Sequence, residues 1–161
     1  MRAMARELRV SRATVYRWAG NHDQLLSEVL SGLALETFRV AETGVRQRGR
    51  ARVLEVYRRF LTLLATSEPL RQALLRDPQQ FLRVATRVGP VSRTTMQLCE
   101  EVVRREVERD AMVASTDPEA LASAMVRIGE ATLYADLLAG VVPDIDRSVD
   151  IVGLLLSSPR P

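Results

Sequence analysis

Lysine is missing altogether from this 161-residue chain, so every one of its basic side chains is an arginine. A single cysteine, Cys99, excludes an internal disulfide and fits a reducing cytoplasm. One histidine, His22, beside one cysteine cannot assemble an ordinary structural zinc site. The chain has no GxSxG turn and no glycine-rich phosphate loop, and its one histidine sits in the turn before a helix. A nucleophilic triad or a metal hydrolase would therefore lack its base or its ligands, so neither an enzyme nor a cofactor is expected. No apolar run approaches the roughly 18 residues of a membrane span. The opening MRAMARELRV carries charge without an apolar signal core. A cytoplasmic protein without membrane contact is expected. Strand signals are nearly absent too, and the long stretches follow helical periodicity.

What is present is apolar content of 47% with a net charge of only +3, the balance of a globular and not a disordered chain. The positive excess is localised. Residues 1–22 hold Arg2, Arg6, Arg9, Arg12 and Arg17 against Glu7 alone, while the remaining arginines are slightly outnumbered by acids. A local basic patch is the footprint of a surface that meets phosphates. The same segment reads as two short helices, Arg2 to Leu8 and Arg12 to Trp18, broken at Leu8–Ser11, with Ser11 as a good amino-terminal cap. Two short helices joined by a tight turn form a helix-turn-helix, whose second helix can enter a DNA major groove.

Asn21, with Gln24 three residues on, opens a longer helix to about Thr43 through a capping-box pattern. The linker GVRQRG (44–49) follows, then a helix with Val53, Tyr57, Phe60, Leu61 and Leu64 on one face. Ser67-Glu68-Pro69 and Asp77-Pro78 start two short helices, the second ended by Gly89-Pro90. A helix from about Ser92 to Arg109 buries Thr95, Leu98, Cys99, Val102 and Val103. Its wet side carries the i,i+4 pairs Glu100–Arg104 and Glu101–Arg105. Asp117-Pro118 opens a long helix to about Ala139, and a last one runs from about Ile145 to Ser157. The fold class is all-α.

Residues Ala5, Leu8, Val10-Ser11, Thr14-Val15-Tyr16, Asn21, Asp23 and Leu25-Leu26 resemble the DNA-binding end of the TetR/AcrR family of bacterial transcriptional regulators. The stretch Arg127 to Leu156 is similar to the carboxyl-terminal domain of its QsdR-like branch. The resemblance implies a DNA-binding unit with its connecting helix over 1–45 and a helical ligand-binding and dimerisation domain over 46–161. It implies an operator in double-stranded DNA, a small-molecule ligand and a homodimer as partners. Three departures stand out: Arg9 replaces the usual turn glycine, His22 replaces a phosphate-touching lysine, and the family's first helix is missing. The expectation is that the working protein has more residues upstream of Met1. By position, Ser11, Arg12, Ala13, Thr14 and Arg17 face the groove, with Tyr16, Trp18 and His22 nearer the backbone. Arginine can bind guanine O6 and N7, and hydroxyls reach a base or a phosphate. The plainer alternative makes these arginines solvated charges and Tyr16 and Trp18 core.

The long helix Asp117–Ala139 is apolar on two sides. Leu121, Met125, Ile128, Thr132 and Ala135 lie on one face, and Ala122, Val126, Gly129, Leu133 and Leu137 on another. A helix apolar on two faces is expected to be buried on two. One side then meets its own domain and the other a second subunit, through Val126, Gly129, Leu133 and Leu137 with Ile151, Leu154 and Leu155 of the last helix. Its polar stripe, Arg127, Glu130 and Tyr134, either orients a ligand in an apolar cavity or forms a satisfied pair or solvent rim. Candidate walls of that cavity are Tyr57, Phe60, Leu61, Leu64, Phe81, Met96, Cys99 and Met125. The function expected is a ligand-responsive regulator, a repressor released by a small apolar or amphipathic ligand. The competing reading is a dimeric helical sensing module that no longer binds DNA.

Overall fold

The computed structural model describes residues 22–86 and 89–157, so the helix-turn-helix segment with Ser11, Arg12, Ala13, Thr14, Tyr16, Arg17 and Trp18 lies outside the described residues. Seven helices and no strand make up the described chain, as the all-α periodicity implies. None of these helices is long and apolar enough to cross a membrane.

Helix α1 (His22–Glu42) buries Ser27, Leu30, Ala34, Phe38 and Ala41, spaced by three or four residues along one stripe. It gives way to Gly44, whose φ of +73° turns the chain away. After α2 (Gly49–Ala65), two short helices start where cap and proline coincide. In α3 (Glu68–Arg76) Ser67 Oγ accepts from the Leu70 N–H, and in α4 (Pro78–Ala85) Asp77 accepts from the Gln80 N–H. Helix α5 (Pro90–Glu108) opens two residues before Ser92, because proline itself fits a first turn. Helix α6 (Pro118–Leu138) is capped by Asp117, and α7 (Ile145–Leu155) by Asp144.

Helix α5 is the hub, packing most extensively on α6 and α1, while α2 lies against α1 and α7. The connecting helix α1 is therefore built into the core of the helices that follow the linker. Two apolar clusters result. The larger joins Phe38, Val53, Phe60, Val103, Leu121 and Val152, with Phe38 and Phe60 edge to face at 5.1 Å. The smaller joins Leu30, Leu70, Leu74, Phe81 and Leu133.

A polar junction pins the end of α1. The Glu106 carboxylate is 1% exposed and accepts the Gly49 N–H at 2.7 Å, with Arg109 Nη1 at 3.3 Å and Arg52 Nε at 3.5 Å. Arg52 also donates to the Val45 carbonyl at 2.6 Å and reaches Glu42 at 3.5 Å. Of the two pairs expected along α5, Glu100–Arg104 forms, whereas Arg105 instead bonds Glu42 of α1 at 2.9 Å. A partner across a helix junction displaced the one on the same helix.

Candidate ligand cavity and reading end

Between the two clusters lies an apolar cavity of about 50 Å³. Helix α1 contributes Leu30, Leu33 and Ala34; α2 contributes Tyr57, Phe60, Leu61 and Leu64; α3 and α4 contribute Leu70, Phe81 and Ala85. Val91, Thr95 and Cys99 come from α5, and Val126, Gly129, Glu130, Leu133 and Tyr134 from α6. Tyr57, Phe60, Leu61, Leu64, Phe81, Cys99, Glu130 and Tyr134, singled out from the sequence as pocket residues, thus meet around one space. Four of the chain's seven aromatics wall it: Tyr57, Phe60, Phe81 and Tyr134. For a chain so poor in aromatic residues, that concentration sets the character of the site.

Three expected pocket residues lie elsewhere. Met125 packs into the larger cluster among Val53, Val56 and Val102. Met96 packs half-buried against that same cluster. Arg127 is exposed at the rim, donating to the Thr86 carbonyl at 2.9 Å and to Glu130 at 3.3 Å. A helical stripe fixes which residues share a face, but not the rotation of that face.

The same rotation corrects the expected subunit interface. Val126, Gly129 and Leu133 are buried inside one protomer and line the cavity, so they are closed to a partner. A Cβ at Gly129 would stand 3.0 Å from Tyr57 Oη and 3.1 Å from Leu61 Cδ2, so the glycine serves the close approach of α2 and α6. Leu137 is half-buried against the smaller cluster. Ile151, Leu154 and Leu155 are exposed, Leu154 at 74%. The exposed apolar stripe of α6 consists of Ala131, Ala135 and Leu138, at successive i+4 and i+3 positions, and continues into the half-buried Ile128 and Ala124.

The polar atoms of the cavity are few. Tyr57 Oη donates to the Met125 carbonyl at 3.0 Å and shares a hydrogen bond with Ser148 Oγ at 3.1 Å. Thr95 Oγ1 donates to the Val91 carbonyl at 3.0 Å. Burial drives the Tyr57 and Tyr134 hydroxyls well above the usual phenol pKa. It also raises the Glu130 carboxyl, with Arg127 and the Ser92 hydroxyl pulling in the opposite direction. Burial pushes the Cys99 thiol up to about 12. Cys99 is therefore expected to resist an aromatic disulfide reagent in the native protein and to react only on denaturation. Absorbance of the released thiolate measures this; prompt labelling of the folded chain would contradict the burial argument.

At the other end of α1, the His22 ring lies against Gln80 of α4. Asp23 accepts from Gln80 Nε2 at 2.8 Å and from Arg83 through two parallel bonds of 3.0 Å. These bonds, with the cation close by, hold the Asp23 carboxyl below its usual pKa. His22, expected to touch a phosphate, is exposed and contacts α4. The first turn of α1 is thus tied to the short helix whose Phe81 and Ala85 wall the cavity. Sequence reasoning missed this tie, since Asp23 and Arg83 lie 60 residues apart.

Comparison with known proteins agrees with this architecture. Residues 48–157 match the family model described as the tetracyclin repressor-like, C-terminal domain. The fold superposes with a TM-score of 0.88 on the R. erythropolis transcriptional repressor QsdR, from the TetR family. The two are 31% identical over 99% of this chain and 85% of the other. No curated protein sequence matches. With a family model over most of its length and this relative across nearly all of it, the chain belongs to the TetR family of transcriptional regulators.

Proposed function

We propose that the protein is a ligand-responsive repressor, in which residues 1–45 hold the DNA-reading unit with its connecting helix and residues 46–161 the sensing and pairing domain. Ser11, Arg12, Ala13, Thr14, Tyr16, Arg17 and Trp18 would meet the operator. The observation that carries the reading is the cavity's position: α1, the direct continuation of the reading segment, supplies one of its walls. Ligand sites usually measure roughly 300–1,000 Å³. A ligand entering a space of about 50 Å³ has to push its walls apart. Movement of α4 passes to α1 through Asp23, Gln80 and Arg83, and displaces two reading helices from successive major grooves.

Pairing is supported by the exposed apolar stripes. Ala131, Ala135 and Leu138 of α6, with Ile151, Leu154 and Leu155 of α7, form an exposed surface suited to a two-fold four-helix interface. Leu154→Asp is expected to convert a dimer to a monomer in light scattering, because its charge would be buried unpaired. A variant still fully dimeric places the interface elsewhere. For DNA binding, the test is an electrophoretic mobility shift with the region upstream of the protein's own gene. A specific, salt-sensitive complex is expected. Absence of any shift favours a sensing module that no longer binds DNA.

A further inference from the structure

Among the described residues around the cavity, Glu130 is the one carboxylate. Its neighbours are apolar or hydroxyl-bearing, and the Tyr57 and Thr95 hydroxyls are already committed to the Met125 and Val91 carbonyls. Arg127 reaches Glu130 through a single contact, Nη1 to Oε2 at 3.3 Å, from a side chain 48% exposed at the rim. The same nitrogen also serves the Thr86 carbonyl. The carboxylate thus keeps acceptor capacity on the cavity side. Ser92, 1% exposed, stands beside the carboxylate without lining the cavity. A buried acceptor without a donor loses the hydration it had in water, and an entering N–H group restores it.

Resting on the reading of this cavity as the sensing site, we infer that its ligand is a compact aromatic or apolar amine, whose protonated nitrogen meets the Glu130 carboxylate. Its body lies among Phe60, Phe81 and Tyr134. Aromatic faces add to the preference, because they attract a cation that a neutral ligand lacks. Arg127, lying outside the space, lends Glu130 a counter-charge while the site is empty and can turn to solvent when an ammonium takes its place. An acceptor-only ligand gains nothing from these groups, since it would set its lone pairs against a carboxylate.

Phenethylamine and phenethyl alcohol share one ring and one chain and differ in the terminal charge. Calorimetric titration of the full chain with each is expected to show the amine binding about tenfold tighter or more, the size of a charge-assisted hydrogen bond in a dry site. In Glu130→Gln, with its melting transition intact, the two affinities should converge while that of the alcohol stays unchanged. Equal affinities in the unaltered protein, or a preference that survives in Glu130→Gln, overturns the amine assignment and leaves the cavity a ligand site. Binding of neither compound overturns the amine assignment and removes the support for the sensing reading as well.

Discussion

Alanine at position 49 is expected to destabilise the protein by about 3 kcal/mol or more, read from the denaturant midpoint at unchanged slope. Gly49 has φ +57°, a left-handed conformation that costs a side chain about 1–2 kcal/mol. A Cβ there would also sit 2.1 Å from the Ala111 carbonyl oxygen and 3.0 Å from its carbon. These are backbone atoms just beyond α5, so no side-chain rotation relieves the overlap. Moving either segment lengthens the 2.7 Å bond from the Gly49 N–H to Glu106, a charge-assisted bond contributing about 1.5–3 kcal/mol. Gly44, also at positive φ but with nothing within 4 Å, supplies the comparison. Its alanine variant should show the conformational cost alone. A Gly49→Ala loss no larger than that of Gly44→Ala would mean that the segment after α5 yields freely.

The second large effect is expected at Glu106. Glu106→Ala should cost about 3–5 kcal/mol, the range for removing one partner of a buried ion pair. The carboxylate holds together the α2 amino terminus, Arg52 and Arg109, and Arg52 in turn ties Val45 and Glu42 at the end of α1. Deleting it leaves the Gly49 N–H without its acceptor and the guanidinium of Arg52 without its nearest buried counter-charge. Glu106→Gln keeps an acceptor for the N–H and should lose less, so the difference separates charge from hydrogen bonding. Since the Gly49 and Glu106 variants break the same bond, their combined loss should fall short of the sum. Strict additivity in a double-mutant cycle would show that the 2.7 Å contact contributes little.

The helices themselves were legible because their signals are local. Ser67, Asp77 and Asp117 each cap the helix that the sequence assigns them, and proline in the first turn marks the start of α3, α4 and α6. Eight of the eleven expected pocket residues line one cavity because apolar stripes on α2, α5 and α6 have to face a common interior. Periodicity stops short of rotation. Helix α6 is apolar through so wide an arc that two inward stripes and one outward stripe look alike in sequence. Val126, Gly129 and Leu133 therefore read as interface although they lie inside. The walls that α1 contributes, Leu30, Leu33 and Ala34, are not among the expected pocket residues.

Local chemistry written along the chain determined the all-helical fold, the caps and turns, the asymmetry of charge and the resemblance to a regulator. These depend on neighbours within about one helical turn, which sequence order preserves. Packing alone decided which face of α6 meets Tyr57, which arginine neutralises Glu42, and that Asp23 is tied to Arg83 and Glu106 to Gly49. Those pairs lie tens of residues apart, and each exists only because several helices fill space together. The junction at Glu106 and the polar end of the cavity at Glu130 are both of this second kind.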